Sequence, residues 1–533
     1  MTRRRLDLVL QPVIDAPRSG VAVSYTVAGV SFAAGATICR LPKVIVGIPG
    51  AEIRRLRVAD RGGTVPVSEA AGAANSSYTY RNWIARKETD GDLHVSYFAP
   101  VRAVDAWTVN GPLFDLRGDS AGIEGSGITF LALPELDDEF ALTVSWDLTR
   151  MPPSARGVSS LGDGTVLTQA PLTRLTECFY MAGEVSQWPE PGPEQAAVMH
   201  WLSTPPFDAA AVADHVDRIF RAMSEFFDDR EEGYRVFVRR HPYDGDGGTG
   251  FHRSFAFGYG PHGKPTVESL SALLAHETAH TWPRMDGGHG ETAWYTEGTA
   301  EYYSLVIPYR AEIISAGEFA RLVNERIRAY CTNPLRALGN DDAEGLFWTD
   351  SRALRLPYGR GLAYLLNLNA QLLEASGGER GVDDLVLEVL RRHRAGEAVT
   401  TSDWVELVVR ELGERGSADF AAMTDGEPLT IRPDALGDEF TAAEVEVRGT
   451  ELGFDFTSLT GGVVSGLVPG SPAAKAGVRD GDRIVSAPAR TELMENPGGL
   501  VDLTLERGGE QVLVQYAGEG PPIHVLQWQE KRG

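Results

Sequence analysis

The sequence is poor in cysteine and has no long apolar run. Only three cysteines, Cys39, Cys178 and Cys331, occur among its 533 residues, and such widely separated thiols exclude a disulfide framework and a cysteine-based metal knuckle. No uninterrupted apolar run approaches the roughly 18 residues typical of a membrane-spanning helix. The chain begins with a basic head, but Asp7 and Gln11 interrupt the segment where a signal peptide would have its apolar core. We therefore expect a cytoplasmic protein with neither a signal peptide nor a membrane span.

Positive charge is also scarce. The chain has 50 lysines and arginines against 74 aspartates and glutamates, which gives a formal net charge of -24. Nucleic acid phosphates would be repelled by this balance, so we expect no nucleic acid partner. A hydrophobic content of 43% and a charged content of 23% are those of an ordinary globular protein. The length predicts about three or four domains.

The N-terminal part of the chain has the period of two that is typical of β-strands. Val21, Val23 and Tyr25 alternate with small or polar residues, and the same alternation occurs in EFALTVSWDL, residues 139–148. One apolar face indicates half-buried strands. A stretch rich in proline, glycine and serine follows and indicates a boundary. We therefore predict a β-sandwich-like domain over residues 1–165.

The middle of the chain changes to a helical period. In residues 208–229 the apolar side chains recur on one side of a helix, and residues 401–412 repeat this pattern. Between them, YRVFVRRHPY at 234–243 is typical of a strand. We predict a mainly helical domain with some strands over residues 166–440, and the whole chain is predicted to be a multidomain α+β protein.

The last segment, residues 441–533, returns to a β pattern. A Gly-Ser-Pro entry into a short alanine-rich helix precedes AGVRDGDRIV, and this arrangement resembles a PDZ domain of the kind associated with bacterial proteases. In PDZ domains a peptide adds to a sheet edge and backbone amides hold its terminal carboxylate. The alternative is a generic small β-barrel. The residues that match the carboxylate-binding loop are Leu452, Gly453 and Phe454.

The sequence ALLAHETAHTW, residues 272–282, carries the main chemical signal. Thr266 can cap a helix there, and Pro283 requires the helix to stop by about Trp282. His276 and His280 would then lie one turn apart on one face. The glutamate between them can reach a metal-bound water, so the five residues form the HExxH arrangement of two zinc ligands and a general base.

A chance occurrence of these five letters is the alternative, and the downstream sequence argues against it. In AWYTEGTAEYY, residues 293–303, Glu297 offers a third ligand at a helical position, and Glu301 lies one turn further on. Zinc hydrolases similar to thermolysin and aminopeptidase N take their third ligand from such a helix. Glu301 suits a hydrogen-bond acceptor for a ligand histidine.

Three segments together resemble the glycyl aminopeptidase family of the gluzincin clan, which includes aminopeptidase N and leukotriene hydrolase. They are HETAHTW, AWYTEGTAEYY and the stretch that begins LPYGRG at residue 356, followed by the PDZ-like segment. The resemblance implies a thermolysin-like catalytic domain and a peptide or protein substrate. It implies that Tyr358 donates a hydrogen bond to the oxyanion, and that Arg360 replaces the clan's usual lysine. It implies one Zn²⁺ per chain, with the ligands His276, His280 and Glu297 and the general base Glu277.

The chain departs from this family in two places. The spacing from His280 to Glu297 is shorter than usual for the family. In the strand before the zinc helix, the family has a glutamate that grips the free amino group of the substrate, and Phe251 stands there instead. A glutamate from elsewhere, such as Glu291, is the alternative anchor, so the choice between exopeptidase and endopeptidase stays open. The substrate-binding candidates on this strand are Gly247, Gly248, Phe251 and His252.

Three functional hypotheses follow from the sequence. The first is a zinc metallopeptidase that hydrolyses peptide bonds with a metal-activated water and the Glu277 carboxylate as base. The second is a catalytically weak protein that mainly binds peptides through its PDZ domain. The third is a zinc hydrolase of a non-peptide substrate. Metal content and cleavage of a peptide library separate the three.

Overall fold

The structure, a computed structural model, describes most of the chain. Residues 1–3, 16–17, 75–77, 107, 109–110, 120, 191–195, 231–232, 244–246, 262–264, 348–349, 489–492, 494–497 and 532–533 lie outside the described part. The chain divides into two compact units, Met1–Arg221 with Arg230–Thr281 and Ala222–Asp229 with Trp282–Gly533. Strands dominate up to residue 259, helices follow from 267 to 424, and strands return from 440, so the predicted α+β class is confirmed. The predicted domain boundaries at 165 and 440 stay predictions.

The first unit is built mainly from strands. Its strands are β1 (Arg5–Val13), β2 (Gly20–Ala28), β3 (Thr37–Ile45), β4 (Ile48–Pro49), β5 (Arg54–Asp60), β6 (Gly63–Thr64), β7 (Val67–Ala74), β8 (Tyr78–Ala85), β9 (Leu93–Pro100), β10 (Arg117–Asp119), β11 (Gly122–Ser126), β12 (Glu139–Trp146), β13 (Arg156–Ser159), β14 (Gly162–Asp163), β15 (Val166–Pro171), β16 (Phe179–Gly183), β17 (Ser186–Trp188), β18 (Ala197–Trp201), β19 (Tyr234–Arg240), β20 (Gly247–Phe251) and β21 (Ser254–Tyr259). Its helices are α1 (Gly127–Phe130), α2 (Thr173–Thr176), most of α3 (Ala209–Phe226) and α4 (Val267–Ala279).

The N-terminal strands form three sheets, with the orders β15-β12-β1-β2-β9-β5-β6, β4-β3-β8-β7 and β10-β11-β16-β13-β14. The predicted alternation holds in them. Leu6, Leu8 and Leu10 of β1 are fully buried, because a period of two directs every second side chain to the same face of a sheet. The strands predicted at 21–27 and 139–148 are confirmed as β2 and β12.

A fourth sheet, with the order β17-β18-β19-β21-β20, lies next to α4 in the chain and in space. β18, β19 and β21 run parallel, whereas β20 is antiparallel to β21 and forms an edge of the sheet. The interior strand β19 buries Val236, Phe237 and Val238 consecutively, which is the pattern of a strand covered on both faces. The edge strand β20 has the sequence GGTGF and buries little.

The first unit also contains a buried cluster of charged side chains. The Asp115 carboxylate accepts hydrogen bonds from the Arg117 Nε at 2.8 Å and from the Arg239 Nη2 at 3.0 Å. Glu124 is 4% exposed, and burial raises its pKa to about 8. Burial likewise lowers the pKa of His241 to about 3. A carboxyl group and an imidazole are therefore held neutral beside two guanidinium groups, since each charged form would have lost its hydration.

The second unit is helical first and β later. Its helices are α5 (His289–Arg310), α6 (Ala316–Thr332), α7 (Asn340–Leu346), α8 (Ser351–Leu354), α9 (Leu356–Ser376), α10 (Val382–Arg394), α11 (Thr401–Leu412), α12 (Glu414–Thr424), α13 (Ser458–Gly461) and α14 (Pro472–Ala476). Its strands are β22 (Phe440–Thr450), β23 (Arg483–Ser486), β24 (Leu500–Arg507), β25 (Glu510–Ala517) and β26 (Glu519–Glu530). The helix predicted at 401–412 is confirmed as α11. Among the described helices, none combines the length and apolar character that crossing a membrane requires.

The C-terminal strands form a β22–β26 pair and a three-stranded sheet, β23-β24-β25. The short alanine-rich helix expected after Gly-Ser-Pro is α14, and its N-cap Ser471 accepts a hydrogen bond from the Ala474 backbone amide. Proline in its first turn fits the N-terminal position, where the missing amide hydrogen has no partner to lose. Leu452 and Phe454 are buried in the core of this segment.

Candidate metal centre

The two histidines of the HExxH sequence face each other. The Nε2 atoms of His276 and His280 lie 3.1 Å apart, with the rings at 86° to one another. Four-residue spacing along a helix places the two side chains on one face. A tetrahedral metal bound at 2.0–2.1 Å would hold two ligand nitrogens about 3.3–3.4 Å apart, which is close to the observed separation. The pair therefore has the geometry of two imidazoles that share one cation.

The helix that carries these histidines ends just before the second of them. α4 covers Val267–Ala279, so His280 follows its last residue, and the backbone amide of His280 reaches the His276 carbonyl at 3.4 Å. The Thr281 amide donates instead to the Thr278 carbonyl. Because Pro283 disfavours helical geometry in the residue before it, the chain leaves the helix about one turn before the proline. The prediction that the helix stops by about Trp282 is confirmed, and its last residue, Ala279, lies three positions before that limit.

Glu297 is the third candidate ligand. It lies within α5, which begins eight residues earlier at His289. One ligand atom of each of His276, His280 and Glu297 lies within 4.8 Å of the other two, and His276 is 6% exposed. Two neutral imidazoles and one carboxylate form the donor set of catalytic zinc sites, which keep a fourth position for water or substrate. The three residues thus fit one zinc ion.

The Glu277 carboxylate lies against the glycine-rich edge strand. A β-carbon built onto Gly248 would be 2.7 Å from Glu277 Oε1, and one built onto Gly250 would be 3.7 Å from Glu277 Oε2. The Tyr234 hydroxyl donates a hydrogen bond to the Glu277 carbonyl at 3.2 Å. Burial raises the pKa of Tyr234, so this hydroxyl keeps its proton and can go on donating. The strand thus lies directly against the Glu277 carboxylate, and Tyr234 holds the backbone of the same residue.

The other substrate-binding candidates on β20 have structural contacts. Gly247 pairs with Gly258 of β21. The Phe251 ring lies 6.1 Å from Phe114 and 5.4 Å from Phe179, measured between ring centroids. Arg174 forms a hydrogen bond with His252 Nδ1, at the turn between β20 and β21. Among these candidates, Gly248 is the residue that the structure brings next to Glu277, and the substrate contacts of the others stay predictions.

Glu301 has a partner that sequence analysis missed. It is 8% exposed, and its Oε2 accepts a charge-assisted hydrogen bond from the Arg326 Nε of α6. A hydrogen bond between a guanidinium group and a carboxylate is stronger than one between neutral groups. An arginine in the next helix gives no local signal in the sequence, since the two residues are 25 positions apart. The role of Glu301 as an acceptor for a ligand histidine stays a prediction.

Tyr358 lies in the first turn of α9, directly after Pro357. Its side chain is half-buried, and the Arg355 guanidinium lies 5.6 Å from its ring centroid. Arg360, at the position of the clan's lysine, is fully buried and donates to Asn340 Oδ1 at 2.6 Å and to the Arg336 carbonyl at 3.1 Å. The Arg360 guanidinium therefore binds the loop before α7 and holds the start of α9 in place.

Glu291 and His289 lie in the first turn of α5 and form hydrogen bonds there. Glu291 Oε2 accepts a hydrogen bond from the Gly288 amide at 3.1 Å and so caps the helix. His289 Nδ1 lies 2.6 Å from Glu344 Oε2. In the PDZ-like segment, Gly453 has a φ of 77° and its carbonyl accepts from the Val468 amide at 2.7 Å.

Several solved structures have a fold similar to that of this chain. Neither a family model nor a curated protein matches its sequence. An aminopeptidase N family protein from Idiomarina loihiensis is 13% identical, with 99% of this chain and 98% of that chain covered at a TM-score of 0.67. An M1 zinc metallopeptidase from Deinococcus radiodurans, bound to a Tyr-Ser-Ala substrate, is 15% identical, with 80% and 95% covered at 0.52. Leukotriene A4 hydrolase from Saccharomyces cerevisiae is 13% identical, with 80% and 68% covered at 0.51. The chain therefore shares its fold with the aminopeptidase N family of zinc metallopeptidases.

Proposed function

We propose that this chain is a zinc-dependent metallopeptidase that hydrolyses peptide bonds. The observation that carries the proposal is the group of His276, His280 and Glu297, whose ligand atoms lie within 4.8 Å of one another. Glu277, the residue after the first ligand, has its carboxylate against an edge strand. When bound, zinc lowers the pKa of a water to about 7 and polarises a carbonyl group.

The chain's own residues supply the proton transfers and the orientation. The Glu277 carboxylate accepts a proton from the attacking water and later gives it to the leaving nitrogen. The Tyr358 hydroxyl donates a hydrogen bond to the oxygen on which negative charge develops. The outer edge of β20 offers backbone groups to an extended peptide, as sheet edges do in other peptide-binding proteins. The base, the oxyanion donor and the peptide-binding edge thus come from three separate elements, α4, α9 and β20.

The experiment that tests this proposal measures zinc content and peptide hydrolysis together. We expect the wild-type protein to contain one zinc per chain and to cleave a peptide library. A chelator should remove the zinc and abolish cleavage, and added zinc should restore cleavage. The matched variant is Glu277→Gln, which keeps the three ligands. A metal-free protein that binds peptides would favour the peptide-binding alternative, and a zinc-loaded protein without peptide cleavage would favour a non-peptide substrate.

We also propose that recognition of the substrate's amino terminus is relaxed. Residues 247–251 contain no carboxylate, and Phe251 packs with two other phenylalanines. Glu291, the alternative anchor, already caps α5. A buried ammonium group without a partner is costly. One peptide in free and N-acetylated forms tests this: similar rates support the proposal, and a strong preference for the free amine overturns it.

For residues 441–533 we propose a PDZ-like module that takes the carboxyl end of a peptide. The support is the positive φ of Gly453 and the Ser471-capped helix that follows. The buried Leu452 and Phe454 would hold the loop that contains Gly453 against the core. Titration of the full chain with a labelled peptide that ends in a free carboxylate, and with its amidated form, tests the module. Equal affinities for the two forms would contradict it.

A further inference from the structure

Helices α5 and α9 touch through their backbones at two glycines. Gly298 directly follows the candidate ligand Glu297, and Gly361 comes three residues after Tyr358. A β-carbon on Gly298 would lie 2.6 Å from the Gly361 Cα, and one on Gly361 would lie 2.2 Å from the Trp294 carbonyl oxygen. Both distances are below 3.0 Å, which real β-carbons essentially never show. The two helices are therefore closer than any other residue at these positions would permit.

The atoms at this crossing cannot rotate away. The nearest neighbours of a β-carbon added at either glycine are backbone atoms of the facing helix, whereas a side chain could adopt another rotamer. Glycine is also an unfavourable residue inside a helix. The close approach of α5 and α9 explains why each helix has a glycine at this point.

The first turns of α9 are fixed on two further sides. A β-carbon on Gly359 would lie 2.6 Å from the Tyr330 Cβ of α6. The Arg360 guanidinium is buried and bound to the loop before α7. Tyr358 therefore projects from a turn of helix whose next three residues are each held by a different neighbour.

We propose that the Gly298–Gly361 crossing sets the distance between the Glu297 carboxylate and the Tyr358 hydroxyl, and that these glycines are positioning residues for the hydrolysis. Residues three apart lie on the same side of a helix, so Gly361 and Tyr358 share the side that faces α5. Glu297 is the neighbour of Gly298. A shift at the crossing moves the oxyanion donor relative to the metal ligand. This inference rests on the proposed function.

The test is Gly361→Ala, alone and combined with Tyr358→Phe. An added methyl group has to push α9 about 1 Å from α5 to reach ordinary contact, and misplacement of about 1 Å can cost about 100-fold in rate. We expect one zinc per chain, a KM within about threefold of wild type, and a kcat lower by about 10–100-fold. If the glycine acts through the tyrosine, then Gly361→Ala changes kcat little in the Tyr358→Phe background.

The matched control is Gly416→Ala in α12. Its β-carbon would meet Val408 Cγ1 at 2.5 Å, so it is also overpacked, but it lies in another helix. Thermal unfolding shows whether the two variants are equally destabilised. Equal kcat values in Gly361→Ala and Gly416→Ala, or full additivity with Tyr358→Phe, overturns the inference. If the wild-type protein neither binds zinc nor cleaves peptides, then the proposed function itself is wrong. This result differs from those that overturn only the inference about the glycines.

Discussion

Replacing Gly248 with alanine is expected to displace the proposed general base while leaving the metal site and the fold in place. The added methyl group would lie 2.7 Å from Glu277 Oε1 and 2.9 Å from the Glu277 Cγ, whereas ordinary contact begins at 3.4 Å. The carboxylate therefore has to move by about 0.7 Å. The obstructing atoms belong to one side chain, which can change its torsion angles, so the cost falls on the position of Glu277 more than on stability.

The size of the effect follows from what the base contributes. General-base catalysis supplies typically about 10²–10⁴-fold, and a misplacement of about 1 Å can remove about 10²-fold. We expect Gly248→Ala to lower kcat by about 10–100-fold, equivalent to about 1.4–2.7 kcal/mol in the activation free energy. The zinc content should equal that of wild type, because the substitution does not displace His276, His280 or Glu297.

Gly250→Ala is the matched control on the same strand. Its methyl group would lie 3.7 Å from Glu277 Oε2, which is ordinary contact. Both substitutions remove the same backbone freedom from the unfolded chain, so that effect cancels in the comparison. Steady-state hydrolysis of one fluorogenic peptide, zinc analysis and thermal unfolding are measured for both. If Gly248→Ala and Gly250→Ala lower kcat equally, then the close approach of Gly248 to Glu277 does not affect catalysis and the prediction is refuted.

Three other predictions use the same assays. Glu277→Gln should keep zinc and lose about 10²–10⁴-fold in hydrolysis, because the amide cannot accept a proton; near-normal turnover would mean that another group is the base. Tyr358→Phe should lower kcat more than it raises KM, because its hydrogen bond acts on charge that develops in the transition state; a change in KM alone would contradict this. Burial raises the pKa of Glu124 to about 8, above about 4.3 in the unfolded chain, so the folded state binds this proton more tightly. The contribution of Glu124 to stability should therefore fall as the pH rises from about 4.3 to about 8, and Glu124→Gln should remove this contribution from the pH dependence; unfolding curves with the same pH dependence in both proteins would refute it.

The parts of the fold that could be predicted are those whose signal is local. The apolar side chains of 208–229 and 401–412 recur at the helical period, and both segments are helices in the structure. The histidines of α4 are four residues apart, so one local rule brings their rings together. The last residue of α4 was harder to predict, because a proline disfavours helical geometry in the residue before it without specifying where the chain leaves the helix.

Contacts between distant segments could not be predicted in the same way. The pairing of Arg326 with Glu301 joins two helices, and nothing near either residue in the sequence specifies the other. The glycines did carry a signal, since TEG and YGRG place glycine where a helix disfavours it. Such a glycine indicates a close approach but does not identify the partner. The structure identifies the partner, because Gly298 and Gly361 meet where the two helices cross.

The strand β20 shows why a match of letters to a family motif does not settle a side chain's role. Successive side chains of a strand point to opposite faces, and Gly248 and Gly250 face Glu277. Thr249 and Phe251 therefore face the other way: the Leu113 amide donates to the Thr249 hydroxyl at 2.9 Å, and Phe251 packs on Phe114. A carboxylate substituted at Phe251 would enter this aromatic cluster, where its charge would lack hydration. A carboxylate anchor for a free amino terminus at position 251 would thus require repacking the cluster around Phe251 as well as replacing that one residue.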